Sequence, residues 1–351
     1  MDLQRPSPAK SDEAGLPPAH GIPGSGRAAG ETVPRRPVVA VSECLGFGAV
    51  RYNGQILQSR FVEGLRNHVE FVHTCPEVGI GLGVPREPVR LVERDGSLRM
   101  LQPATSRDVT GEMESWSRDF LTGMGAVDGF ILKSRSPTCG IGDVKVYASE
   151  GGPVKSKGAG LFAREVMECF PLAAVEDEGR LTNLKIRHHF LTVLFTAARF
   201  RAARAIGALS ALVRFQTEHK LLLMGYGQEP LRRLGRIVAN PRRAPAGEVF
   251  TCYAEALGPL LRKPAQPGPV VNVLQHAFGY LTDDLSGKER RYFLELVEEY
   301  RDERLPLAAL LAVLGAWIIR EGVPYLEVQR FFEPYPRELL ELTDSGLRTR
   351  I

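Results

Sequence analysis

Three short apolar runs, each passing directly into a glycine-bearing loop, set the pattern of the first half of the chain. PVVAVSECLG reads as a buried strand over Val39 to Val41, EFVHTCPEVGIGLG repeats the arrangement, and VDGFILKSRSPTCG supplies the strand GFILK and a third loop. Helical spacings lie between them: Phe61, Leu65 and Val69 share one face, a helix-like run ends at Phe120 to Met124, and another covers 162–170. Strand, loop and helix in repetition is the order of a parallel sheet whose functional residues lie at the carboxyl ends of its strands.

Beyond residue 181 the period becomes 3.6. Ile186, Phe190, Val193, Leu194 and Ala197 form one face, and further helical runs cover 205–224, 250–261, 270–278, 287–300 and 306–330, broken at GYGQEP, NPRRAPAG and KPAQPGP. The predicted fold class is therefore α/β, an N-terminal Rossmann-like parallel-sheet domain followed by an all-α C-terminal domain. Residues 1–36, rich in Pro, Gly and charge, bury too little to repay ordering and read as a disordered tail. The sheet domain then spans 37–168 and the helical domain 182–351, with the boundary in a linker over 169–181 whose PLAAVEDEGRLTN reads as strand-like or linker.

Composition adds compartment and charge. With 351 residues and 44% apolar content, two ordinary domains can have real cores. Five cysteines without a secretory leader point to a reducing, cytoplasmic setting, where cysteine serves metal or catalysis more often than bridges. The longest apolar stretch, PLAALLAVLGAWII, is short for a bilayer crossing, so no membrane association is expected. The formal net charge is only +4, but residues 180–243 hold thirteen Lys or Arg against two Glu, a footprint for a polyanion.

Cys44, Cys75 and Cys139 each sit in one of the three strand-to-loop motifs. Their separation in sequence is too long for a zinc knuckle, so joint action requires the fold to gather them. Thiolates select iron-sulfur clusters, zinc or copper(I), and neighbouring glycines let backbone N–H groups approach the sulfurs. The alternative is three buried cysteines in ordinary turns. Cys169 and Cys252 lack this setting and read as small apolar fillers.

The runs SECLGFGAVRYNG, CPEVGIGLGVPREPVRL and ILKSRSPTCG resemble the DUF523 family, whose characterised members are thiouracil desulfurases of the TudS type. RHHFLTVLFTAARFRA, FQTEHKLLLMG, NVLQHAFGYL, YRDERLPLAAL and YLEVQRFFEPYPREL are similar to the DUF1722 family. The first resemblance implies a four-iron, four-sulfur (4Fe-4S) cluster held by Cys44, Cys75 and Cys139, with its fourth iron open to the sulfur of a thiolated pyrimidine. Fusions of the two families imply an iron-sulfur desulfidase that converts 4-thiouridine in transfer RNA to uridine. Desulfuration of free thiouracil bases is the alternative, and an iron-sulfur redox-sensing or RNA-binding protein is an alternative of another class. CLGFG and CPEVGIGLG depart from the family's usual strings, which bears on pocket shape.

Within that reading Glu77 is the candidate acid/base, set against a helix-start carboxylate, and Ser134 and Ser136 are candidates to orient water or substrate, set against turn-closing hydroxyls. Lys133 is a candidate to stabilise developing charge, and Arg86 a phosphate clamp or a salt-bridged loop anchor. The RNA grip is assigned to Arg187, Arg201, Arg204, Lys220, Arg232 and Arg233, a basic helical surface that needs no base code.

Overall fold

The computed structural model describes residues 36–94, 96–240 and 242–340. The first half runs β1 (Val38–Ser42), α1 (Arg60–Leu65), β2 (Glu70–Thr74), α2 (Pro76–Gly79), β3 (Arg90–Arg94), β4 (Ser97–Gln102), β5 (Arg107–Asp108), α3 (Thr110–Gly123), β6 (Gly129–Leu132), β7 (Val144–Tyr147), β8 (Val154–Gly158), α4 (Leu161–Cys169) and β9 (Ala174–Asp177). Four strands form a wholly parallel sheet in the order β2-β1-β6-β9. The near-continuous apolar strings VVAVS and GFIL follow from burial on both faces.

A second sheet, ordered β5-β4-β3-β7-β8 and mostly antiparallel, was not legible in the sequence. Its strands, such as RLVER and VKSKG, carry charge on their open faces and lack the apolar density of the first sheet.

The expected linker 169–181 is corrected by the fold. Residues 174–177 are β9, a full member of the parallel sheet paired to β6 from Gly129–Ala174 to Leu132–Asp177. Its AVED sequence reads as a polar connection because the strand ends in acid, and those acids point to the same end of the sheet as the cysteine loops. The expected disordered tail lies outside the described residues apart from Arg36.

The second half is helical: α5 (Leu184–Ile206), α6 (Leu209–Met224), α7 (Gln228–Ala239), α8 (Ala246–Leu261), α9 (Pro267–Gly279), α10 (Gly287–Arg301), α11 (Leu307–Glu321) and α12 (Pro324–Glu327). Asn183 starts α5 by accepting from the Lys185 and Ile186 amides, and Gly207, at φ 72°, stops it. That stop divides the run expected over 205–224, just as Gly322 at φ 61° divides the run expected over 306–330.

The two halves share one core. Val39, Val41, Leu45, Ile131 and Ala174 of the parallel sheet pack in the same cluster as Phe190, Leu191 and Leu194 of α5, while α3 and α4 cover the other face through Leu121, Phe162, Ala163 and Val166. Gly129 marks the close approach of α5: a Cβ there would stand 2.8 Å from Leu194 Cδ1 and 3.1 Å from the Ala174 carbonyl. An ion pair closes the seam. Arg201 donates from Nε and Nη2 to Asp128 at 2.9 and 2.7 Å, and Asp128, only 2% exposed, also accepts the Val38 amide at 2.8 Å. Among the described residues no helix is long and apolar enough to cross a membrane.

A candidate three-cysteine site at the carboxyl edge of the sheet

Parallel pairing brings the cysteines together. Cys44 lies two residues past β1, Cys75 follows β2 directly, and Cys139 sits in the loop after β6; these three strands are neighbours, so their carboxyl ends share one edge. All three residues line one pocket of about 330 Å³, together with Ser42, Glu77, Arg86, Lys133, Ser134 and Ser136. Gly160 admits the Cys139 loop, since a Cβ there would stand 2.4 Å from the Thr138 carbonyl oxygen.

All three thiols are free. Burial pushes Cys44 up to about 12, with the neighbouring Cys75 adding to it, and burial likewise raises Cys75 and Cys139. Three sulfurs held together in a largely buried pocket favour their anionic form only beside a strong positive centre. No group of three or more His, Cys, Asp or Glu among the described residues is arranged for a single metal ion. A cluster with a separate iron for each thiolate spaces its ligands more widely than one ion does. Three free thiols from separate strand ends, converging on a pocket of this volume, fit such a group.

Glu77 lies on the pocket wall with both carboxylate oxygens engaged: Oε2 pairs with Arg86 at 2.8 Å, and Oε1 accepts the Thr138 hydroxyl at 2.7 Å. Ser136 Oγ accepts the amides of Thr138 and Cys139 at 3.2 and 3.1 Å, which makes it the turn-closing hydroxyl of the Cys139 loop. Ser134 Oγ accepts from Lys133 Nζ at 2.8 Å and donates to Glu178 Oε1 at 2.8 Å. Lys133 Nζ also pairs with Glu178, whose other oxygen takes the Ser134 amide at 2.7 Å. Sequence reasoning missed Glu178, although the acid run at the end of β9 carried the signal. It missed Ser42 as well, a pocket-lining residue whose Oγ accepts the Lys133 amide at 2.9 Å.

The basic residues assigned to RNA divide. Arg187 is corrected: it is 8% exposed and donates to the Leu181 and Thr182 carbonyls at 2.9 and 3.1 Å, because the turn before α5 folds back over its guanidinium. Arg201 is corrected too, being the partner of Asp128 across the seam. Arg204 is exposed and reaches Thr251, Lys220 is partly buried, and Arg232 and Arg233 lie on the open face of α7, Arg232 beside Glu229 at 3.8 Å. Cys169 and Cys252 are exposed and do not fill the core as expected.

The 2-thiouracil desulfurase family matches residues 39–178, and the DUF1722 family, a protein family of unknown function, matches residues 220–336. The chain therefore joins a domain of the first family to a domain of the second. The uncharacterized protein YbgA of Escherichia coli (strain K12) is 30% identical over 138 residues, covering 39% of this chain and 81% of that protein. The uncharacterized protein YbbK of Bacillus subtilis (strain 168) is 29% identical over 135 residues, covering 36% of this chain and 87% of that protein. A solved structure named [4Fe-4S]-dependent thiouracil desulfidase TudS is 28% identical with a TM-score of 0.34, covering 42% of this chain and 93% of that one. The first of the two family matches ends at Glu178, immediately after β9, and so takes in all of the parallel sheet but Val38.

Proposed function

We propose that this desulfurase-family chain removes sulfur from thiolated pyrimidines, with a free thiouracil-type base as substrate, in the pocket formed by Cys44, Cys75 and Cys139. The observation that carries the reading is the convergence of these three free thiols at one edge of the parallel sheet. The reaction consumes water: the C=S carbon gains oxygen, and the sulfur leaves as hydrogen sulfide without net oxidation or reduction.

A 4Fe-4S cluster on the three cysteines would supply an open iron, a Lewis acid toward the substrate sulfur. The chain's own residues do the remaining work. Glu77, two positions from Cys75, takes the proton of the attacking water. Ser136 accepts two amides and keeps its own hydroxyl proton to donate to a pyrimidine heteroatom. Lys133, with two of its three N–H donors on Glu178 and Ser134, presents the third to charge developing on the ring.

Conversion of 4-thiouridine within transfer RNA is weakened as a first reading, because Arg187 and Arg201 are engaged inside the protein. The deciding experiment gives the anaerobically iron-reconstituted full chain free 2-thiouracil, free 4-thiouracil and thiolated transfer RNA, and follows sulfide release and the oxygenated product. Turnover of a free base supports the reading, and conversion confined to the RNA overturns the choice of substrate. A loaded chain that converts none of them points to a sensing role.

A further inference from the structure

We infer that Arg86 is the positioning residue of the cysteine centre: one buried guanidinium ties the three ligand loops together and directs a positive N–H at the Cys75 sulfur. The inference rests on the three-cysteine centre of the proposed function. Arg86 has a side chain only 4% exposed. Its Nη1 donates to the carbonyls of Val50 and Gly83 at 2.9 Å each, its Nε and Nη2 both reach Glu77 Oε2 at 2.8 Å, and Nη2 also stands 3.8 Å from Cys75 Sγ. Four hydrogen bonds and the ion pair with Glu77 thus engage all three guanidinium nitrogens inside the protein, which leaves the group poorly placed to hold a substrate phosphate. The phosphate-clamp reading of Arg86 falls, and the loop-anchor reading stands.

The connections reach each cysteine. Val50 belongs to the segment after Cys44, its carbonyl also faces Cys75 Sγ at 3.7 Å, and the Arg86 amide holds the Tyr52 carbonyl in the same segment at 2.8 Å. Cys75 is touched directly. Cys139 is reached through Glu77, whose Oε1 takes the hydroxyl of the adjacent Thr138. A guanidinium can do this because it is planar, permanently charged and forked; the ammonium of lysine offers three donors from one point. Hydrogen bonds to ligand sulfur and nearby positive charge set how firmly a metal centre is held and how easily it accepts an electron.

The test uses the full chain carrying R86K, R86Q or the doubly neutral pair R86Q/E77Q, each reconstituted with iron and sulfide under anaerobic conditions and checked for fold by circular dichroism. Iron per chain, the rate of iron release to a chelator and the midpoint potential are read. R86K is expected to release iron at least tenfold faster than wild type, and R86Q to shift the midpoint to a more negative potential. R86Q/E77Q leaves no stranded carboxylate, so fast release there assigns the effect to the lost ties. Wild-type release rate and midpoint in folded R86Q and R86Q/E77Q overturn the role of Arg86 alone. A wild-type chain that takes up no iron overturns the cluster reading and this inference with it.

Discussion

Replacing Arg201 by alanine separates a seam residue from a surface contact. The substitution removes both charge-assisted hydrogen bonds to Asp128 and leaves that carboxylate, 2% exposed, with the Val38 amide as its remaining partner among the described residues. Stranding one member of a buried pair costs about 3–5 kcal/mol. Because the Arg201 side chain is itself 22% exposed, water can enter the vacated space and part of that cost is recovered. A loss of about 2–3 kcal/mol is expected. For a unit of this size, where each kcal/mol moves the midpoint by roughly 2–4 °C, the melting temperature should fall by roughly 4–12 °C. Thermal unfolding followed by circular dichroism reads the change, and the halves should melt together because they share one core. R201A/D128N, in which the amide oxygen can still receive Val38, should recover part of the loss, a coupling that a double-mutant cycle measures. A melting temperature within about 1 °C of wild type, where a lost surface contact belongs, would refute the seam argument.

Serine at Cys44, Cys75 or Cys139 should abolish iron uptake and desulfuration, whereas serine at exposed Cys169 or Cys252 should spare both; equal losses at all five would sink the three-ligand assignment. Acid should weaken the helical half. Burial lowers His188 and His189 from 6.5 to about 4 and His219 to about 3, so their neutral forms belong to the folded state. The unfolded chain binds protons first as pH falls through 6.5, so the stability is whole above that value and lost on the way down toward 4. By pH 5.5 the loss is roughly 1 kcal/mol per histidine. Urea midpoints that stay flat between pH 7 and pH 5 would contradict it. G129A should cost about 1–3 kcal/mol, because the new Cβ meets Leu194 and the Ala174 carbonyl; an undisturbed melting curve would show that α5 can withdraw without penalty.

The cysteines were legible because strand-to-loop grammar survives in one dimension. A strand buried on both faces must be apolar, the turn at its carboxyl end carries glycine, and residues in such turns collect along one edge of a parallel sheet. The helices were legible for a similar reason, with ends set by Asn183 and by glycines that adopt positive φ. The second sheet was not, because strands with charge on an open face lack a strong periodic signal. β9 was left open between strand and linker, and then placed in the linker, because its terminal acids suit a linker as well as a strand end.

Partnership was the part that sequence withheld. Thirteen basic residues between 180 and 243 look alike as charge, yet Arg187 bonds to carbonyls of its own turn and Arg201 to a carboxylate 73 positions away. Lys133 finds Glu178 across the sheet in the same manner. The sequence by itself determined three strands of the parallel sheet, most of the helices and which sulfurs stand at the strand ends, since those follow from local periodicity and turn chemistry. Only the tertiary structure decided which charged groups are paired inside the protein and which remain for a ligand, because pairing depends on distance and burial between residues that composition treats as equivalent.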